Sequence, residues 1–245
     1  DTDQSPYDSG SYASSTTYVT GMAVVKACES MRKRICEEAA AIMGLKANEV
    51  DFDGETISEN DNPEHSMTLS DLITSLEAGN GRIIEVTESH TSPVSPPPFM
   101  AGAAEIEVDL QTGKITPINY VAAVDCGTVI NTNLARIQTE GGIVQGMGMT
   151  LYEDVQYTDA GKMKNRNFMS YKIPTRLDMG NIKVEFESSY EETGPFGAKS
   201  IGEIVINTPA PAIADAVYNA TGLRFRTLPI TAEQVFMGIL DKEEA

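Results

Sequence analysis

Residues 134–152, LARIQTEGGIVQGMGMTLY, carry apolar side chains at helical spacing and yet include Gly141, Gly142, Gly146 and Gly148. Each glycine costs a helix interior about 0.5–1 kcal/mol against alanine, so this density needs a compensating contact. Two compensations fit: a second element packed tightly on the helix, or a ligand that approaches its backbone.

The segments on either side mix helical and strand patterns in irregular order. Residues 11–20, SYASSTTYVT, are rich in hydroxyls, and Gly21 leads into an amphipathic helix. Its apolar positions are Met22, Val25, Cys28 or Glu29, Met31, Ile35, Ala39 and Ile42, with Gly44 as its stop and with Cys28 and Cys36 expected as core thiols on one face. Residues 49–64 alternate around Phe52 and Ile57 across a DG turn, which predicts a hairpin or meander with a solvated acidic face. Thr68 and Asp71 form a capping pair ahead of a short helix through Leu69, Leu72, Ile73 and Leu76. The stretch TSPVSPPPF over 91–99 is too proline-rich for regular structure and reads as a crossing between two halves.

Beyond it, Ala104, Ile106 and Val108 alternate with Glu105, Glu107 and Asp109, QTGK turns the chain, and ITPINYVAAVD returns as a more buried strand. Further strands are expected over 182–187 and 224–228, and a helix over 209–221 that ends at Gly222. The class is α+β, with mixed helices and sheets, divided as residues 1–98 and 99–245.

Lys and Arg number 18 against 36 Asp and Glu, a formal charge of −18, which disfavours a nucleic-acid partner. A hydrophobic share of 41% is that of a globular chain. Three cysteines, Cys28, Cys36 and Cys126, make neither a disulfide framework nor the thiolate set of an iron–sulfur cluster, and point to a reducing, cytoplasmic setting. No basic-then-apolar leader opens the chain, and no apolar run approaches the ~20 residues of a membrane span. Because the chain starts without Met in a polar segment, something is expected to precede it. His65 and His90 lack metal-ligand spacing and read as surface residues. Phosphate-loop, GxGxxG and GxSxG patterns are absent.

The remaining chemical signal is ETGPFGAKSIGE, where Gly194, Gly197 and Gly202 make close turns and Glu203 stands at the change from polar loop to apolar IVI. A carboxylate partly desolvated there would suit general-base work; the alternative is a loop glutamate that only accepts backbone hydrogen bonds.

The motifs DCGTVINTNLARIQTEGGIVQGMGMTLYED, NFMSYKIPTRLDMG, GPFGAKSIGE and PAIADAVYNATGLRFRTLPITAEQV, in this order, closely resemble the C-terminal half of the molybdopterin-binding subunit of the molybdenum hydroxylases. That family includes xanthine dehydrogenase, aldehyde oxidoreductase, N-heterocycle hydroxylases and aerobic carbon monoxide dehydrogenase. The resemblance runs from about Asp1 through Val235.

It implies that Glu203 is the active-site glutamate, that the turn Ala13-Ser14-Ser15-Thr16 contacts pterin and phosphates, and that Gln138 contacts the pterin, with Gly202 beside the base. The glycines from Gly141 to Gly148 would let their helix lie near the cofactor. Many relatives have arginine where this chain has Ser15, so one cationic phosphate contact is either missing or supplied elsewhere.

The implied cofactor is molybdopterin in its cytosine dinucleotide form, its dithiolene holding molybdenum with a sulfido or selenido ligand. No direct metal ligand comes from the chain. The implied partners are a larger molybdopterin subunit, an iron–sulfur subunit with 2Fe-2S clusters and an FAD subunit. The implied reaction is hydroxylation of a small N-heterocycle, nicotinate first by analogy with split nicotinate dehydrogenases, with purine or aldehyde oxidation as alternatives. Glu191, Glu192 and Phe196 would shape the entrance. A noncatalytic interaction subunit, its glycine helix packed on a partner, is the alternative of a different class.

Overall fold

The structure is a computed structural model that describes residues 3, 5, 7, 8 and 10–244. The opening DTDQSPYDSG, and with it the start of the resemblance and of the 1–98 division, lies partly outside the described residues. Two compact units form. One is Tyr18–Pro93; the other combines Asp1–Thr17 with Val94–Ala245. The crossover near residue 94 falls within the proline-rich stretch, but residues 1–17 group with the later part of the chain, which a single cut at residue 98 does not express.

In the unit Tyr18–Pro93, helix α1 (Thr16–Met43) starts before the expected Met22 and supplies Ile35, Cys36, Ala39 and Ala40 to a core with Val50, Ile57, Leu72 and Leu76. The buried stripe is narrower than expected. Ile42 and Cys28 are exposed, so only Cys36 is a core thiol, and burial pushes its pKa up. Strands β1 (Val50–Phe52), β2 (Thr56–Glu59) and β3 (Asn62–Thr68) form an antiparallel meander, and β3 is exposed at every position but the half-buried Met67. Asp53 fixes the first turn by accepting from the Glu55 and Thr56 N–H groups at 2.9 and 2.8 Å.

Helix α2 (Leu69–Asn80) begins at the expected Thr68–Asp71 capping box and ends at Gly81 in the left-handed conformation. The irregular segment that follows is strapped to α1. Arg82 donates to the buried Glu38 at 2.5 Å, Ser30 donates to Glu88 at 2.6 Å, and Ser92 donates to the Tyr18 hydroxyl at 2.8 Å. Of the two histidines, His65 fits the surface expectation and pairs with Glu59 at 2.8 Å, whereas both ring nitrogens of His90 are buried without a hydrogen-bond partner among the described residues. Desolvation, reinforced by Lys26, pushes the pKa of His90 down.

The second unit is built on a sheet of β4 (Phe99–Val108), β5 (Ile115–Asp125) and β6 (Asn181–Phe186), with β5 central, antiparallel to β4 and parallel to β6. Helices α3 (Thr132–Leu151), α4 (Ile204–Asn207), α5 (Pro209–Thr221) and α6 (Ala232–Glu243) complete it. The core joins Tyr120, Ala122 and Val124 of β5 to Ile143 and Met147 of α3, Ile213 and Val217 of α5, and Val235 of α6. Tyr120 donates to Thr208 at 2.8 Å at the α5 entry. The strand expected over 224–228 does not form. Phe225 packs on the core while Arg224 pairs with Asp215 and stacks on Tyr218, an alternating segment that no sheet edge reaches.

Three of the four glycines of α3, Gly142, Gly146 and Gly148, are explained by packing. A side chain at Gly142 would overlap Val205 of α4, and a Cβ at Gly146 would meet Pro209 Cγ at 2.8 Å and the Ile206 carbonyl at 2.9 Å. One at Gly148 would meet Glu153 and Pro174. Nothing lies within 4 Å of a Cβ at Gly141. Of the two compensations that fit this glycine run, a closely packed element is present at Gly142 and Gly146, where the contacts seat α4 and α5.

These contacts predict opposite effects at adjacent positions. Gly141→Ala should raise stability by up to about 1 kcal/mol, because it restores helix propensity in open space. Gly142→Ala should lower it by about 1–3 kcal/mol, because the methyl group overpacks against Val205. Thermal unfolding of the two variants beside the parent protein checks both signs.

Candidate active site

The loop that carries Glu203 is anchored where β5 ends. The Lys199 N–H donates to the Cys126 carbonyl at 2.8 Å, the Thr128 N–H donates to the Gly197 carbonyl at 2.8 Å, and Gly127 bridges to Ala198. Gly127 has φ +68°, and any side chain there would overlap the Gly197 carbonyl, so the two strands of loop close only over a glycine.

Beside this ladder Lys199 Nζ lies 2.7 Å from Asp125 Oδ2 and 5.4 Å from the centre of the Phe99 ring. The other carboxylate oxygen of Asp125 accepts from Ser189 Oγ at 2.5 Å and from the Gly127 N–H at 3.0 Å. Burial pushes the Asp125 carboxyl up, but the Lys199, Ser189 and Gly127 donors outweigh it and hold it below the usual carboxylate range. Burial and the Asp125 charge push the Cys126 thiol up, which keeps it protonated and unsuited to be a nucleophile or ligand.

Downstream, Glu203 directly precedes α4, and Val205 two residues later fills the space left by Gly142. The Glu203 side chain is exposed, so the desolvation expected from its place in the sequence is absent in this chain. Its carboxylate accepts a hydrogen bond from Ser14 Oγ at 3.3 Å. Gly202 lies under the same serine: an ideal Cβ at 202 would stand 2.5 Å from Ser14 Oγ and 4.0 Å from Gln138 Nε2. A cavity of about 300 Å³ opens alongside, lined by Gln138, Thr17, Cys126, Thr128, Asn131 and Lys199 among others.

Ser14, Gln138 and the adjacent pair Gly202–Glu203, three places far apart in sequence, are therefore brought together. Ala13 and Ser14 both adopt positive φ, 48° and 55°. Ser15 and Thr16 are adjacent, but their hydroxyls are used inside the turn, Ser15 Oγ donating to the Tyr12 carbonyl at 2.7 Å and Thr16 Oγ1 to Ser11 Oγ at 2.7 Å. Of the expected entrance residues, Glu191 builds its own turn by accepting from Thr193 Oγ1 at 2.6 Å, and Phe196 is exposed at positive φ. The sequence reading missed Asp125, Ser189 and Lys199. A lysine between the glycines of a close-turned loop was the available signal for Lys199, whereas nothing local marked its partner.

Loss of either member of the Asp125–Lys199 pair leaves the other charge buried and uncompensated, so Lys199→Met should cost about 3 kcal/mol of stability. Because the folded-state pKa of Asp125 is depressed, its stabilisation is present above the unfolded value of about 3.9 and is lost as pH falls through the lower folded value. Thermal unfolding measured from pH 6 to about pH 2 should show this acid loss in the parent and a shallower one in Lys199→Met.

The chain matches the model of the molybdopterin cofactor-binding domain over residues 1–180. It is 32% identical over 244 residues to the Escherichia coli K12 protein named "Probable hypoxanthine oxidase XdhD", covering 98% of this chain and 25% of that protein. It is 30% identical over 240 residues to the xanthine dehydrogenase molybdenum-binding subunit of Escherichia coli O157:H7, covering 96% of this chain and 32% of that protein. The crystal structure of quinoline 2-oxidoreductase from Pseudomonas putida 86 is similar with a TM-score of 0.81 at 25% identity, over 98% of this chain and 32% of that one. The chain spans about a quarter to a third of the length of these relatives. With this family match laid over an α+β body that gathers Ser14, Gln138, Gly202 and Glu203, the chain belongs to the molybdopterin cofactor-binding domain family and corresponds to the C-terminal cofactor-binding region of the molybdenum hydroxylases.

Proposed function

We propose that this chain forms part of the catalytic body of a molybdenum hydroxylase that inserts water-derived oxygen at an electron-poor carbon of a small N-heterocycle, with Glu203 as general base. The observation that carries this reading is the convergence of Glu203 with Ser14, Gly202 and Gln138 beside a cavity.

The side chains suit the implied cofactor. Among the described residues no three His, Cys, Asp or Glu side chains come together to hold a metal ion. The cavity instead offers neutral amide and hydroxyl groups from Gln138, Asn131, Thr17 and Thr128, which fit a group that brings its own sulfur ligands and asks the protein for hydrogen bonds. In this reading the turn Ala13–Thr16, Gly202 and Gln138 hold molybdopterin, as the cytosine dinucleotide, and the two binding subdomains are residues 1–98 and 99–245, less the N-terminal residues that group with the later part of the chain. When bound, the molybdenum centre, with its sulfido or selenido ligand, supplies Lewis acidity and accepts two electrons. Glu203, exposed at the loop end, removes the proton of the attacking water-derived oxygen. Ser14 and the fixed start of α4 hold the carboxylate in place as it does so.

The three cysteines hold no cluster, since Cys28 is exposed and Cys36 and Cys126 are buried apart in the cores of different units. Electrons then leave through partner chains with 2Fe-2S clusters and FAD, in a cytoplasmic assembly that includes a larger molybdopterin subunit. Among the described residues no helix is long and apolar enough to cross a membrane. Nicotinate is the leading substrate. Hypoxanthine and xanthine in the names of two relatives and quinoline in that of a third support an aromatic N-heterocycle, and an aldehyde oxidoreductase subunit of Escherichia coli K12, 33% identical over 146 residues, supports aldehyde oxidation as the alternative.

Glu203→Gln in the co-purified assembly should lower kcat by at least about 10²-fold while molybdenum and pterin content stay unchanged. Full activity in that variant would remove the base role, and assemblies without molybdenum and pterin would favour an interaction subunit. Kinetics on nicotinate, xanthine and an aromatic aldehyde decide the substrate: a marked preference for either of the last two excludes nicotinate.

A further inference from the structure

We infer that Ser14 is a positioning residue for the Glu203 carboxylate, and that the paired left-handed residues Ala13 and Ser14 and the missing side chain at Gly202 exist to deliver its hydroxyl there. The inference rests on the general-base reading of Glu203 and assigns the serine hydroxyl to the base, where the sequence resemblance assigns it to pterin and phosphate.

The main chain of Glu203 is held two residues on by Val205 in its seat on α3. Its side chain is not. It is exposed and makes no capping bond to its own helix. Among the described residues Ser14 Oγ, at 3.3 Å, is the donor found on that carboxylate. A carboxylate on a freely rotating chain reaches a reacting proton in only a fraction of its rotamers, so one donor from a fixed backbone has a large effect on its aim.

The fixed backbone is supplied at a conformational cost. Positive φ at two successive residues other than glycine persists only where the surroundings impose it. Here the turn is closed by the Ser15 N–H and Oγ, which both bond the Tyr12 carbonyl, at 3.0 and 2.7 Å, and by Thr16 Oγ1 on Ser11 Oγ. Gly202 supplies the complement. A Cβ there would lie 2.5 Å from Ser14 Oγ and 2.9 Å from Ser14 Cβ, so any side chain at 202 would drive the serine off the glutamate beside it. The hydroxyls of Ser15 and Thr16 hold the turn, and that of Ser14 is the one aimed outward at the base.

The test uses the holoenzyme assembly with Ser14→Ala and Ser14→Gly. Both should lower kcat about tenfold with KM within about twofold and with pterin and molybdenum content per complex unchanged. Glycine suits the positive φ better than serine, so a Ser14→Gly variant of full activity would show that only the turn matters and would overturn the inference. A loss explained by missing pterin, with normal kcat per pterin, would return the hydroxyl to the cofactor and overturn it as well. Adding Ser14→Ala to Glu203→Gln should cause no further loss, since a residue that acts through Glu203 has nothing left to position.

A crystal structure of the Ser14→Ala protein gives a readout independent of turnover. The Glu203 carboxylate should leave its parent rotamer while residues 11–16 keep theirs, and an unmoved carboxylate would overturn the inference. A fully active Glu203→Gln enzyme would instead sink the general-base reading, while the rotamer comparison would still report on the contact itself.

Discussion

The position of the candidate base depends on a side chain that α3 does not have. Val205 occupies the space where a Cβ of Gly142 would be, and one turn on, Ile206 and Pro209 close over Gly146. Helix α4 is only four residues long and could not hold its own place by backbone bonding. Its position is set by this contact and by the α5 entry at Pro209, and Glu203 is its leading residue. The helix-propensity penalty carried by α3 is thus offset by close packing that transmits the position of a 20-residue helix to one carboxylate.

A single anchor would let the loop pivot, and the second one lies at its other end. Asp125 finishes β5, and its carboxylate holds Lys199, Ser189 and the Gly127 N–H together, while the ladder around Gly127 and Ala198 fixes main chain to main chain. An ion pair in this setting contributes little net stability over an apolar pair. What it contributes is register: Lys199 can meet Asp125 only if residues 197–199 lie beside 126–128 in one alignment. With residues 199 and 205 both fixed, the short span between them has little freedom, and what stays adjustable is the rotamer of Glu203 itself.

The sequence shows this architecture unevenly. Elements whose cause is local are legible: the Thr68–Asp71 box starts α2, the alternation through Ile106 and the QTGK turn give the β4–β5 pair, and Gly222 ends α5. Helix α6 was legible too, since Thr231 and Gln234 form the same kind of box, though its short apolar pattern drew no expectation. Features with nonlocal causes are not legible. The segment 224–228 alternates as a strand does, but whether a neighbour pairs with it is decided by the sheet. The burial of the His90 ring and the exposure of Cys28 depend on where the strap after α2 runs. At the site, family motifs identify Glu203, Gln138 and the 13–16 turn as candidates, yet only the fold shows that Gly202 and Ser14 share one space.

The charge of −18 also reads differently beside the candidate site. Against a nucleic acid it is a global repulsion. For a phosphate-bearing cofactor what matters is the potential inside the cavity, and there the global sum says little. Lys199 is the cation among the lining residues, and its charge is already matched by Asp125. Anionic groups in this cavity would therefore meet amide and hydroxyl dipoles, including those of Gln138, Asn131 and Thr128, and no uncompensated cation among its lining residues. Such dipoles act through distance and direction, so their strength depends on rigid placement more than on ionic strength. The two anchors that hold the Glu203 main chain lie on α3 at Gly142 and Gly146 and at the end of β5 at Asp125, the two elements that carry or flank Thr128, Asn131 and Gln138. A site that relies on neutral donors thus needs the same rigidity that its base needs, and both draw it from the glycine-notched helix and the Asp125–Lys199 pair.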